Sequence, residues 1–241
     1  MSKIEDLVAE KCPNGVEYKR VSDVCDILRG KRLTKSQLTE EKTADNKYPV
    51  LHGGMEPMGY YFEPNRKAGT TIVINTGNAG NVYYSFEEYW SSDACFSLYP
   101  KDNIVLDRYL YFFMATKEDV LHGKIRSGAM PTIDALAVES LEIPVPPLDI
   151  QKEIVSVLDS FTELEAELEA RRKQYEHYRE QLLSFENLSA EGGGKLSCSR
   201  LESLLRLSEA AASRKKTTRR TVFLAFIMAK YMFTIKHWSE A

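Results

Sequence analysis

The spacing of apolar positions changes character along this chain, and each change predicts a different element. The run Gly69-Thr70-Thr71-Ile72-Val73-Ile74 is β-branched and continuous, which predicts a strand buried on both faces. Residues 75–81 (NTGNAGN) then read as a turn-rich loop, and residues 82–86 (VYYSF) resume extended structure. Residues 94–99 (ACFSLY), closed by Pro100, are a further strand. In residues 106–116 (LDRYLYFFMAT) the spacing turns helical, with Leu110, Phe113 and Met114 on one face. Residues 16–27 accommodate a strand and a short helix, and residues 128–132 form a second loop rich in breakers. Strands interleaved with helices on this scale predict a mixed α/β (α+β) domain over residues 1–148.

After Pro144, Pro146 and Pro147 the pattern becomes a 4-3 repeat. The prolines exclude helix before them and favour a helix start after them, with Asp149 as the expected N-cap. With Ile154 at heptad position a, the a sites are Ile154, Phe161, Leu168, Tyr175 and Leu182. The d sites are Ile150, Val157, Leu164, Arg171, Tyr178 and Phe185, and only Arg171 interrupts the apolar seam. So narrow a stripe predicts a coiled-coil helix over residues 149–185, about 54 Å long at 1.5 Å per residue. One helix cannot cover its own seam, and the chain holds no second copy of the pattern, so a partner helix is expected. Glu163, Glu165, Glu167 and Glu169 precede Arg171, Arg172, Lys173 and Arg179. An antiparallel pair centred near Leu168 would set Glu165 against Arg172, whereas a parallel pair would stack like charges. The alternative is a solvated helix face with no pairing role.

Charge narrows the partners. The chain of 241 residues carries a formal net charge of −3, yet residues 1–149 are acidic and residues 186–241 are basic. An acidic first domain does not advertise nucleic acid, so any such contact must rest on local basic loops. The four cysteines form no CxxC pair, which argues against a structural zinc site and suits reduced cytoplasmic thiols. The N-terminus lacks the apolar core of a secretory signal. Residues 222–233 (VFLAFIMAKYMF) are too few to span a bilayer. Residues 186–241, with the breaker Gly192-Gly193-Gly194 and the basic run at 214–220, are expected to be an atypical tail, either poorly ordered or an interfacial helix.

No catalytic constellation emerges from the residues. Gly77-Asn78-Ala79-Gly80 is neither a dinucleotide fingerprint nor a Walker loop, and no Asn/Asp-Pro-Pro-aromatic motif of an adenine methyltransferase is present. The expectation is a chain that performs no chemistry itself.

A set of motifs in order resembles the specificity (S) subunit of type I restriction-modification enzymes. They are Cys12-Pro13-Asn14-Gly15-Val16-Glu17-Tyr18, Gly30-Lys31-Arg32-Leu33-Thr34, Tyr48-Pro49-Val50-Leu51-His52-Gly53-Gly54 with Gly59-Tyr60-Tyr61, and Ser92-Asp93-Ala94-Cys95-Phe96-Ser97-Leu98-Tyr99-Pro100. The hinge Ile143-Pro144-Val145-Pro146-Pro147-Leu148 with Gln151, then Arg171-Arg172-Lys173-Gln174-Tyr175-Glu176 and Leu182-Leu183-Ser184-Phe185, complete it.

The resemblance implies a target-recognition domain on double-stranded DNA, followed by a conserved helix. It also implies modification subunits that hold S-adenosylmethionine, with no cofactor on this chain itself, and a restriction subunit joining them. Family S subunits carry two recognition domains and two antiparallel helices. This chain resembles a half-length form, expected to pair with a second copy or another half subunit. Half-sites would then lie about one to two DNA turns apart. The same resemblance points to loops that face DNA: Lys31, Arg32 and Lys35; Asn78 and Asn81, whose amides suit adenine edges; and Lys124, Arg126 and Ser127. Asn78 and Asn81 could instead simply serve their turn. Tyr60 and Tyr61 are expected in the core or a groove wall. The rival expectation is a truncated assembly or decoy protein that binds modification subunits without reading DNA.

Overall fold

The computed structural model describes residues 3–183 except 55, 103 and 127, and the helix backbone but not the side chains at 182 and 183. The order is α1 (Lys3–Lys11), β1 (Tyr18–Arg20), α2 (Val21–Val24), β2 (Cys25–Arg29), a 3-10 turn (Lys35–Gln37), β3 (Tyr48–Leu51) and β4 (Tyr60–Tyr61). Then come β5 (Thr70–Ile74), β6 (Val82–Ser85), β7 (Trp90–Ser91), β8 (Cys95–Pro100), α3 (Asp107–Thr116), α4 (Glu118–His122), α5 (Ala135–Glu139), β9 (Glu142–Pro144) and α6 (Leu148–Leu183). The mixed α/β expectation holds.

The central sheet runs β2-β8-β5-β6, antiparallel throughout. All five residues of β5 are buried, as its unbroken β-branched run requires, because it is flanked by β8 and β6 and covered by α3. Val73 faces Phe96 across the β5–β8 ladder, and Ile72 faces Tyr83 across the β5–β6 ladder. From α3, Tyr109, Leu110, Phe112, Phe113 and Met114 are buried, a wider face than the three positions expected from spacing. A second sheet, β4-β3-β7, joins an antiparallel to a parallel pair. The amphipathic α1, with Ile4 and Val8 buried, was not among the expected elements.

The ends of the domain meet in the two-stranded ladder of β1 with β9, extended by Val21 N–H donating to the Leu141 carbonyl and Val145 N–H to the Glu17 carbonyl. Here the proline hinge is held by name. The buried Tyr109 hydroxyl donates to the Pro144 carbonyl at 3.0 Å. Gln151 is fully buried: its amide Nε2 donates to the carbonyls of Ile104 (2.9 Å) and Pro146 (2.8 Å), and its Oε1 accepts from Leu106 N–H at 2.9 Å. Around it, Lys11 pairs with Asp149 at 2.5 Å and Lys3 with Glu153 at 2.7 Å, tying α1 to the first turns of α6. That pairing holds the Lys11 ammonium above and the Asp149 carboxyl below their ordinary pKa ranges, chiefly through the hydrogen bond between them.

Contacts group the described residues into one compact unit through Val155 and another from Ser156 onward. The long helix thus belongs to the first unit for its opening two turns. The helix starts at Leu148, one residue ahead of the expected boundary at 148/149, so Asp149 lies within its first turn, and the change of unit falls about two turns later. Phe185 and the expected tail, 186–241, lie outside the described residues.

Candidate nucleic-acid interface

Three loops distant in sequence close on one another. Asn78 N–H donates to the Gly53 carbonyl at 2.9 Å, and Gly77 N–H donates to the Pro131 carbonyl at 3.2 Å. Thr132 bridges to both Thr76 and Arg126. Two glycines permit this approach: a Cβ on Gly53 would lie 1.9 Å from the Thr76 carbonyl oxygen, and Gly77 sits at φ +92° with its absent Cβ 2.7 Å from the Gly53 carbonyl oxygen. Thus residues 52–54 and 76–78, with Arg126, Pro131 and Thr132, form one junction, built on the C-terminal ends of β3 and β5. The half-buried His52 adjoins it. Burial first, and the Lys35 charge second, hold the His52 imidazole below its ordinary pKa, so the ring is neutral at pH 7.

The expected DNA-facing residues divide at this junction. Lys35 is exposed in the 3-10 turn, whose entry is ordered by Thr34 N–H donating to Gln37 Oε1 at 3.0 Å. Asn78 is exposed beside Gly53. Lys31 and Arg32 are exposed on a backbone pinned to the second sheet, where Lys31 N–H donates to the Ser91 carbonyl and the Trp90 indole N–H donates to the Lys31 carbonyl.

Other members have partners inside the chain. Asn81 Oδ1 lies 2.9 Å from His122 Nε2. The Lys124 ammonium donates to the Ala137 carbonyl and the Ser140 hydroxyl at the C-terminal end of α5. The Arg126 guanidinium is ion-paired with Asp134 while its side chain stays largely exposed. Ser127 lies outside the described residues. Sequence spacing could not supply His52, Gly53 and Thr132 as junction members, although His52 and Gly53 lie in a motif that carries the family resemblance.

Behind the junction, between β3–β4 and the face of β5–β6, lies a cavity of about 400 Å³. Its lining includes His52, Gly54, Tyr60, Ile72, Ile74 and Tyr83, and His52 and Gly54 belong to both cavity and junction. The Tyr84 and Phe86 rings gather instead with Tyr111 around the Arg108 guanidinium on the α3 side of the sheet. Tyr60 is therefore a groove-wall residue, while Tyr61 packs edge-on against Trp90 at 5.1 Å.

On the helix, the expected interface residues fall into two groups. Ile150 and Ile154 are buried at 0% and 2% exposure within the chain itself, which corrects their expected place on a seam open to a partner. The first apolar turns of the repeat anchor the helix. Val157 and Phe161 are half-buried, whereas Leu164, Leu168, Tyr175 and Tyr178 are exposed by 53% or more. Arg171 pairs with Glu167, Arg172 with Glu176 and Lys173 with Glu169 along the helix itself. The side chain of Leu182 is not described.

A mixed-sheet domain whose closing prolines lead into a long helix is the architecture of type I specificity subunits. Residues 13–175 match the model of the type I restriction modification DNA specificity domain, and the chain belongs to that family. It is 54% identical over 170 residues to the putative type I specificity subunit S.MpnORF615P of Mycoplasma pneumoniae, covering 67% of this chain and 68% of that protein. It is 29% identical over 172 residues to S.MpnORF507P of the same organism, covering 68% of this chain and 46% of that one. The crystal structure of a type I S subunit from M. genitalium superposes with a TM-score of 0.57 at 22% identity, over 73% of this chain and 49% of the other. The chain thus spans about half the length of several relatives it matches. Among the described residues no helix is long and apolar enough to cross a membrane.

Proposed function

We propose that this chain reads one half of a split DNA site and directs adenine methylation and restriction by partner subunits. The observation that carries the reading is the junction of residues 52–54 and 76–78 with Arg126, Pro131 and Thr132. Exposed Asn78 and the largely exposed Arg126 belong to it, and its neighbour His52 feels the charge of the exposed Lys35. Cations position a phosphate backbone and an amide addresses a base edge, so these loops offer both kinds of contact. The exposed stretch Leu164–Tyr178 supports the second half of the proposal, an antiparallel pairing with a second copy or another half subunit. Modification subunits holding S-adenosylmethionine and a restriction subunit would dock on that scaffold in the cytoplasm. This chain would then bring no cofactor and no chemistry of its own.

The test is a nuclease-protection footprint of the chain assembled with its modification subunits on a random-sequence library. The expected result is protection of a split motif whose two halves lie about one to two helical turns apart. Co-purification with the modification subunit but no sequence preference would establish the decoy reading instead.

A further inference from the structure

The loop between Arg126 and Thr132 has fixed feet and an apolar tip. Arg126 N–H donates to the Thr132 carbonyl at 2.8 Å, and Gly77 N–H donates to the Pro131 carbonyl at 3.2 Å. Just beyond, the N–H of the buried Ile133 donates to the Asn75 carbonyl at 2.8 Å. The tip, Gly128-Ala129-Met130-Pro131, is exposed at every residue and carries neither a charge nor a side-chain N–H or O–H donor. A Cβ on Gly128 would find the Met130 carbonyl oxygen, at 3.9 Å, as its nearest neighbour, so the tip is open there too. Met130 supplies its largest apolar side chain and is 62% exposed. A lone exposed apolar residue is ordinary, but an uninterrupted apolar run on a fixed loop points to something that covers it. Its surroundings say what. The hydrogen bond from Gly77 to Pro131 joins the residue before Asn78 to the residue after Met130, so the exposed amide and the exposed thioether stand on adjoining backbone segments. In the major groove an A·T pair presents the adenine N6 and N7, which an amide addresses, and one apolar group, the thymine 5-methyl. An unbranched, polarizable methionine side chain adapts readily to so small an apolar target.

We infer that Met130 is a specificity-determining residue that covers the 5-methyl group of a thymine in the major groove of the bound half-site. The inference rests on the proposed DNA reading and adds to it an apolar contact that no loop cation or amide supplies. Removing water from one methyl group and the side chain that meets it favours thymine over cytosine or uracil at that position.

The experiment uses the chain assembled with its modification subunits. The probes are duplexes carrying the adenine-methylated motif, with deoxyuridine replacing each thymine in turn, so that only a 5-methyl group is removed. Binding is compared for wild type and Met130→Ala, whose exposed position spares the fold. The expected result is one thymine at which loss of the methyl weakens wild type about 3- to 10-fold and leaves the affinity of Met130→Ala unchanged. If no thymine methyl matters to wild type, or if its loss costs Met130→Ala as much, the inference is overturned and the DNA reading stands. Loss of modification-subunit recovery by Met130→Ala, with the deoxyuridine pattern of wild type retained, would assign the tip to a protein partner and also overturn it. If no motif depends on the chain at all, the DNA reading itself fails.

Discussion

Gln151 offers the sharpest test of how the long helix is attached. Its side chain answers three buried backbone groups, Leu106 N–H and the carbonyls of Ile104 and Pro146, and is itself 0% exposed. Gln151→Ala leaves all three without a partner. At about 1 kcal/mol each, the lower end for an orphaned buried polar group, the loss is about 3 kcal/mol. Gln151→Glu is more discriminating. One carboxylate oxygen could still accept from Leu106, but the other would face two carbonyls with no proton to give. The folded state would therefore hold that acid protonated, above its unfolded pKa of about 4.3. The penalty is then small near pH 4 and grows as pH rises toward 7. Urea unfolding followed by far-ultraviolet circular dichroism at pH 4.5 and pH 7.5 reads both effects. A loss below about 0.5 kcal/mol for Gln151→Ala, or a Gln151→Glu deficit independent of pH, would refute the account of the hinge.

Other perturbations address the remaining parts. Leu164→Asp and Leu168→Asp place carboxylates on exposed seam positions, so chain association should be abolished while the unfolding midpoint of the first unit stays unchanged. An unaltered dimer in sedimentation would count against the seam. Gly53→Ala forces a methyl into the Thr76 carbonyl and should open the three-loop junction, weakening DNA binding at least tenfold; equal affinity in a gel-shift titration would contradict the role given to that contact. His52 has a lowered pKa in the fold, so the unfolded chain takes up its proton first as pH falls below about 6.5. The stability His52 contributes is thus present above pH 6.5 and declines below it, and His52→Gln should flatten that slope in urea titrations between pH 7 and 5.5.

What the sequence made legible was local. The β-branched run of β5 and the heptads of α6 each carry a strong local signal, and both elements form where their periodicity places them. The short strands of the second sheet carry no such signal. At two to four residues, β3, β4 and β7 owe their conformation to ladder partners far away in the chain. The same limit applies at the candidate site. Residue type alone cannot distinguish Asn78, exposed at the junction, from Asn81, whose amide oxygen is paired with His122. Nor does it foresee that Lys124 caps α5 or that Arg126 finds Asp134. The heptad reading failed for Ile150 and Ile154 for a related reason. An apolar stripe states that burial is required but not by what, and here the first two turns are buried within the chain's own first unit.

The central claim is that this chain chooses where partner subunits methylate DNA. Single-molecule sequencing of adenine methylation in cells expressing the modification subunit, with and without this chain, tests it most directly. The account predicts a split motif methylated only when the chain is present, and a weakened or altered motif when Lys35 and Asn78 are both replaced by alanine. An identical adenine pattern with and without the chain would contradict it.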